Sequence, residues 1–306
     1  MGIFRRLTTS GGEGSTSYPF KFTILVPTAG VTFTLPIVDY GALTPNIVVD
    51  WGDGSGTTAI SSSTSASRIH SYSAVGSPTT YTVTIYGFLP GFRVNNSASI
   101  RSLVTGIVQF GTVGLRTLNF YGCNNLTSIP SSTSMSAVGG YTGLADIETF
   151  GSFMRSTGVT SIPSDIFQYS TKATDFANAF ASTQITSITT NIFQYNTLAT
   201  SFASCFLACT GLTSVPSTLF DTNTNVINFS STFQNCRSLI NILQFTYNNS
   251  VTLFSNIYNM STTSNAIAGS QAAPTIWLRT PTPTGTAAFR NCVTLTNYAS
   301  IPTNFK

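Results

Sequence analysis

The chain has 306 residues, 42% of them hydrophobic and including 23 Phe and 12 Tyr, so it can build a sizeable core. Only 7% are charged, against roughly a quarter in an ordinary soluble domain; yet the wealth of aromatics excludes a disordered chain, and no apolar run approaches the ~20 residues of a membrane-spanning helix. The net charge of +4 comes from 13 Lys and Arg against 9 Asp and Glu, scattered apart from the pair Arg5-Arg6, which argues against the clustered cations of a nucleic-acid surface.

The first segment, residues 1–17, opens Met1-Gly2-Ile3-Phe4-Arg5-Arg6 and continues rich in Thr, Ser and Gly. No apolar h-region follows the Arg pair, so it does not read as a secretory signal peptide. Arg6 stands where a myristoylation motif has Ser or Thr. Such an arm is flexible alone. It is expected to dock on other proteins of a larger assembly, with Ile3, Phe4, Arg5 and Arg6 as the docking candidates.

Residues 18–98 carry period-two patterning. Phe20, Phe22 and Ile24 alternate with Lys21 and Thr23. Val31, Phe33 and Leu35 do so with Thr32 and Thr34, and Tyr81, Val83 and Ile85 with Thr82 and Thr84. Each predicts a strand with one buried face. Ile47 to Trp51 predicts a further strand, with Trp51 in the core. Pro27, Gly30, Pro36, Gly41, Pro45, Gly76 and Pro78 punctuate the turns. The expectation is an antiparallel β-sandwich. Asp50 and Asp53 are too few for calcium, which takes six to eight oxygens. Asp53-Gly54 reads instead as a tight turn.

Residues 99–306 repeat with a period of about 26. Phe150, Phe176, Phe202, Phe229 and Phe254 are spaced 26, 26, 27 and 25 apart. Four residues after each comes Met154, Phe180, Phe206, Phe233 or Tyr258. Val159, Ile185, Leu212 and Leu239 form another column, and Ile162, Ile188, Val215 and Ile242 a fourth. A further apolar pair, Ile166-Phe167, Ile192-Phe193 and Leu219-Phe220, follows. One unit cannot bury its own rings, so the units are expected to stack as a solenoid. Phe150, Phe176, Phe180, Phe202, Phe206, Phe229 and Phe233 form the predicted core. The i, i+4 spacing of Phe202 and Phe206 predicts a short helical turn. The fold class is therefore mainly β with short helices. The array has an opening cap at 99–130, an irregular insertion or decayed repeat at 259–285, and a terminal cap at 286–306.

Two stretches of the first domain resemble the PKD-like β-sandwich family: Asp50-Trp51-Gly52-Asp53-Gly54, then His70-Ser71-Tyr72 with Tyr81-Thr82-Val83-Thr84. The repeat unit, as in Phe202 to Phe220, resembles BspA-like leucine-rich-repeat surface proteins, which often carry such a sandwich before the array. The resemblance implies surface presentation or adhesion, and similar arrays occur in bacteriophage structural proteins. Two departures are the Ser-rich stretch 55–67 and the fading of the columns over 259–285.

Chemistry-bearing patterns are sparse. The odd count of five cysteines, without a CxxC pair, suggests neither a zinc site nor a disulfide framework. Cys123, Cys209, Cys236 and Cys292 share a small-residue column with Thr157 and Thr183; Cys205 falls outside it. The sole histidine, His70, lies in the other domain from all five cysteines, so no activated thiolate is expected. Asp146, Glu148, Asp165, Asp175 and Asp221 are the acids a glycosidase could use, but no repeated column holds them. No Walker loop, Rossmann fingerprint or nucleophile elbow is present, so no catalytic residue, cofactor or metal is expected. Gln168-Tyr169 and Gln194-Tyr195 recur 26 residues apart and, if exposed, suit contact with carbohydrate or protein; alternatively the rings lie over the core edge. The sequence reads as a non-enzymatic virion component of a bacteriophage, a capsid decoration or fibre-like protein on the virion surface. It would be docked by 1–17 and open to a host-surface protein or glycan, with a homo-oligomer as a further candidate assembly. The alternatives are a bacterial surface adhesin and a glycan depolymerase.

Overall fold

A computed structural model describes residues 18–73, 78–94, 98–131, 143–188, 191–261 and 271–306. The arm 1–17, with Ile3, Phe4, Arg5 and Arg6, lies outside the described residues, as does Gly76. The protein is mainly β, with antiparallel sheets; helix makes up 6% of the described residues, and none of those from 143 to 261 is helical.

The strands in chain order are β1 (Phe20–Val26), β2 (Thr32–Thr34), β3 (Asn46–Asp50), β4 (Thr57–Ile60), β5 (Ile69–Ser71), β6 (Thr79–Phe88), β7 (Gly91–Arg93), β8 (Val104–Gln109) and β9 (Thr117–Asn119). An antiparallel sheet of five strands runs β4-β3-β6-β1-β8. In β1 the predicted alternation appears directly: Phe20, Phe22, Ile24 and Val26 are buried and the residues between them are half-buried. Phe22 lies opposite Val83 of β6. The pair β2 and β5 sets Phe33 against Phe22, ring centroids 5.9 Å apart. The edge strand β8 lies beyond residue 98 and joins the sheet through β1, Phe22 opposite Ile107.

Pairing changes direction after β8. The pair β7 and β9 is parallel, and from β9 onward a line of parallel bridges continues through Thr117, Thr149, Asp175, Ser201, Asn228, Leu253 and Thr284, with a further parallel bridge between Ser187 and Ser214. The core is continuous across this change: Phe20 packs on Phe92 at 5.1 Å and Phe92 on Phe120 at 5.4 Å.

The segment from each column Phe onward is not the predicted helical turn. Ser204 and Ala208 have φ of 56° and 57°, in the left-handed region, and the same positions of other units, such as Asn178 and Ser182, do likewise. The backbone alternates in hand, so its N–H groups split between two destinations. Those of Phe176, Asn178, Phe180 and Ser182 donate to the carbonyls of Ser201, Ala203, Cys205 and Leu207 in the next coil. Those of Ala179, Ala181 and Thr183 fold back onto Phe176, Asn178 and Phe180. A helix would keep all of these bonds internal and leave the coils unjoined. The remaining donor is met by the side chain just before the Phe in four units: Thr149 and Ser201 accept from Gly151 and Ala203 N–H, and Asp175 and Asn228 from Ala177 and Ser230 N–H, the last two at 2.9 and 2.8 Å. Every backbone N–H from Phe176 to Thr183 thus has an acceptor, as burial demands.

Inside the array the rings form three stacks. Phe150, Phe176, Phe202, Phe229 and Phe254 stack nearly parallel at 5.2–6.0 Å. Phe180, Phe206, Phe233 and Tyr258 form the second stack at 5.4–5.8 Å. Phe167, Phe193 and Phe220 form the third at 5.5 and 5.8 Å. The third leans across the first: Phe176 meets Phe193 at 4.9 Å and 66°, a favourable edge-to-face contact. All of the predicted core residues, Trp51 included, are buried.

Candidate functional site

In the sheet region Trp51, Asp53, His70 and Tyr72 form one cluster. His70 Nε2 contacts Asp53 Oδ2 at 2.7 Å, and its ring stacks on Trp51 at 4.7 Å and 7°. Tyr72 donates its hydroxyl to the Trp51 carbonyl, and Trp51 Nε1 donates to Thr58. Asp53 also accepts from the amide and hydroxyl of Ser55. Burial raises the Asp53 carboxyl, but hydrogen bonds from Ser55 and His70 outweigh it and hold its pKa below the usual value. Asp53 and Gly54 form the expected turn, with Gly54 at φ 81°. Asp50 accepts from Gly52 N–H.

The cysteines are all free and buried. The thiols of Cys209, Cys236 and Cys292 donate to the carbonyls of Phe180, Phe206 and Tyr258 in the preceding coil, at 3.0–3.1 Å. Burial pushes Cys209 up to about 11 and Cys123 and Cys292 to about 12, and raises Cys205 and Cys236 as well. Cys205, for which the sequence offered no column, belongs to one with mixed occupants: Phe153, Ala179, Thr232, Ile257 and Ala288 hold its place in other coils, all buried.

The acids are engaged with their neighbours. Asp146 pairs with Arg116 and Lys172, whose hydrogen bonds lower its pKa against the opposing effect of burial. Ser131 donates to Asp165, and Tyr40 to Glu148. Asp221 has its carboxyl raised by burial.

A polar column that sequence reasoning missed runs through the interior. Asn196 donates its amide to the carbonyls of Phe167 and Ser170, Asn223 to those of Phe193 and Asn196, and Asn248 to those of Phe220 and Asn223. Ser170 begins the column on the Leu144 carbonyl. Arg279 ends it, donating to the carbonyls of Asn248 and Phe245, both at 2.6 Å. The only sequence signal was a small polar residue three positions after each third-column Phe.

That column places Gln168, Tyr169, Gln194 and Tyr195. The N–H of Ser170, Asn196, Asn223 and Asn248 each donates back three residues, to the carbonyl of Phe167, Phe193, Phe220 and Phe245. The two residues between are the corner of a tight turn and point away from the core. The corners are Gln168-Tyr169, Gln194-Tyr195, Asp221-Thr222 and Thr246-Tyr247. The turn from Ile276 to Arg279 adds Trp277-Leu278. Tyr195 is 49% exposed, Tyr247 56% and Leu278 72%; Gln194 is exposed, while Gln168 and Tyr169 are half-buried. The structure therefore joins the two predicted pairs on one edge and adds Tyr247, which the interruption at Thr222 concealed. Leu198 and Ile227, about half exposed, lie two and four residues past ladder positions on the following side.

Among the described residues no group of three or more His, Cys, Asp or Glu could hold a metal, and no helix is long and apolar enough to cross a membrane. The chain matches no protein-family profile and no curated protein sequence.

Proposed function

We propose that this chain is a non-enzymatic surface-presenting protein, a structural component of a bacteriophage virion. In this reading a PKD-like β-sandwich leads into a leucine-rich-repeat-type solenoid of the BspA-like kind. Residues 1–17 dock it on the particle, as a decoration or fibre-like protein, and the array projects toward the host surface. The observation that supports the reading best is the use of the chain's polar chemistry. The interior Asn column, the thiols of Cys209, Cys236 and Cys292, and the His70–Asp53 contact all hold backbone or motif residues in place. Coils joined in this way extend a continuous side surface away from an attached end, which is what a presenting protein needs. An uncharged surface of Ser, Thr, Asn and Gln fits a particle exterior.

Deletion of residues 2–17 tests the docking role. The remainder should fold with an unchanged melting temperature and be missing from purified particles, as counted by quantitative mass spectrometry. Normal incorporation of the truncated chain would refute it.

A further inference from the structure

We infer that the corner stripe of the array is a binding track for a neutral, extended polysaccharide of equatorially linked pyranoses, lying parallel to the stacking direction across Tyr195 and Tyr247. This deepens the presenting role proposed above and rests on it only for biological setting, since the track is a property of the chain itself.

Three observations carry the inference. The first is spacing. Tyr195 and Tyr247 hold equivalent corners, each one residue before a ladder Asn, with the Thr222 corner between them. Coils joined by parallel bridges advance by about 4.8 Å each, so equivalent corners two coils apart are separated by about 9–10 Å. In an extended chain of equatorially linked sugars, every second ring presents the same face, at a matching interval. Two tyrosines two coils apart can therefore stack on alternate sugars, while small Thr222 leaves room for the ring between.

The second is register. The step from Phe220 to Phe245 is 25 residues, shorter than the 26 and 27 of the two preceding steps in that column. Phe245 takes up the difference with φ 53°, a conformation costly for a bulky side chain. With that adjustment, Asn248 still reaches the carbonyls of Phe220 and Asn223, and Tyr247 is returned to the corner.

The third is chemistry. A sugar face carries C–H groups that pack on an aromatic ring while its rim hydroxyls need hydrogen-bond partners. The corners pair the exposed rings with Gln194 and Thr246 on the same edge, both exposed. Arg279 is directed inward to the Asn248 and Phe245 carbonyls, and Lys172 is held by Asp146. Neither cation is offered to the track, which suits an uncharged chain over an acidic one. Leu278, at the corner after Tyr247, extends the same apolar line.

The test is affinity electrophoresis of the full chain in gels containing a β-glucan, a xylan or a galactomannan, with Tyr195→Ala, Tyr247→Ala and the double variant alongside. The wild-type chain should be retarded by at least one of these. Each single variant should bind roughly 5–10-fold more weakly, a factor of ten being about 1.4 kcal/mol. The double variant should run as in a blank gel, and Tyr195→Phe should retain most of the retardation. Melting temperatures should stay unchanged, because corner side chains lie outside the core. The inference is overturned if the wild-type chain is not retarded by any of the three, or if the double variant is retarded equally. It is also overturned if the double variant loses binding only to a host protein on cells stripped of polysaccharide. None of these outcomes bears on particle incorporation, which the deletion of residues 2–17 reads separately.

Discussion

The two halves of the molecule solve the same backbone problem differently. Among the described residues, every positive φ before residue 123 belongs to glycine, and every one after residue 150 belongs to another residue, mostly Ser or Asn. In the sheet region Gly52, Gly87 and Gly111 lie where chain segments approach closely, whereas Gly30, Gly41, Gly54 and Gly56 lie in turns with open space where a Cβ would be. A Cβ on Gly52 would come within 2.5 Å of the Thr82 carbonyl oxygen, and one on Gly87 within 2.4 Å of that of Asn46. In the array the left-handed positions, such as Ser204 and Asn178, lie on the outer side of a turn, half-buried with room for a short side chain. Ser and Asn tolerate that region better than bulkier residues. The difference teaches that φ alone does not demand glycine, and that where backbone crowds the Cβ, as at Gly52 and Gly87, no other residue fits.

That comparison can be broken at several points. The largest expected effect is in the array. Phe202→Ala removes a ring packed on Phe176, Phe193, Phe220 and Phe229, and should cost about 3–5 kcal/mol by chemical denaturation. If the loss were as small as that of a surface substitution, the stacked rings would not be what joins the coils. Gly87→Ala should cost about 2–3 kcal/mol, because left-handed strain adds to a backbone collision; a neutral result would show that β3 and β6 can separate freely.

Asp53→Asn should cost about 1–2 kcal/mol at pH 7, through the weakened bonds from Ser55 and His70. The sign of its pH dependence follows from the lowered carboxyl. The wild-type advantage is fully present above the ordinary Asp value of about 3.9 and is lost as the pH falls through the lower folded value. Melting temperatures of the two proteins should therefore converge below about pH 4, and a gap that persisted at pH 2 would point to a role other than charge. The smallest effect has the opposite sign. Ala208→Gly, at φ 57°, should stabilise by about 0.5–1 kcal/mol, since relief of left-handed strain exceeds the entropy cost of glycine. A loss at this position would mean that the outer turn is packed as closely as the sheet.

Much of this architecture was legible because apolar columns advertise themselves. The Phe150 and Phe180 columns recur at one interval, and burial is the cheapest explanation of such a recurrence. The Cys205 column escaped notice because the pocket takes anything from Ala179 to Phe153, so no residue type repeats. The interior Asn column escaped because Asn at a turn is ordinarily solvated, and nothing in Asn196 or Asn223 reveals that its amide reaches two carbonyls of the previous coil. The corner stripe was half legible: Tyr169 and Tyr195 repeat, but Thr222 hides the continuation to Tyr247. The strand β8 escaped because its pairing partner, β1, lies more than 80 residues earlier.

The sequence by itself determined which side chains must leave water and at what period, because hydrophobic burial depends on composition and spacing along one strand of chain. It could not determine that Phe202 and Phe206 flank left-handed turns rather than a helix, since i, i+4 spacing aligns side chains in both. Only the tertiary structure decided that, because the N–H groups of Phe202, Ser204 and Phe206 find their acceptors on a different coil, at Asn228, Ser230 and Thr232. A hydrogen bond between coils exists only once both coils are in place.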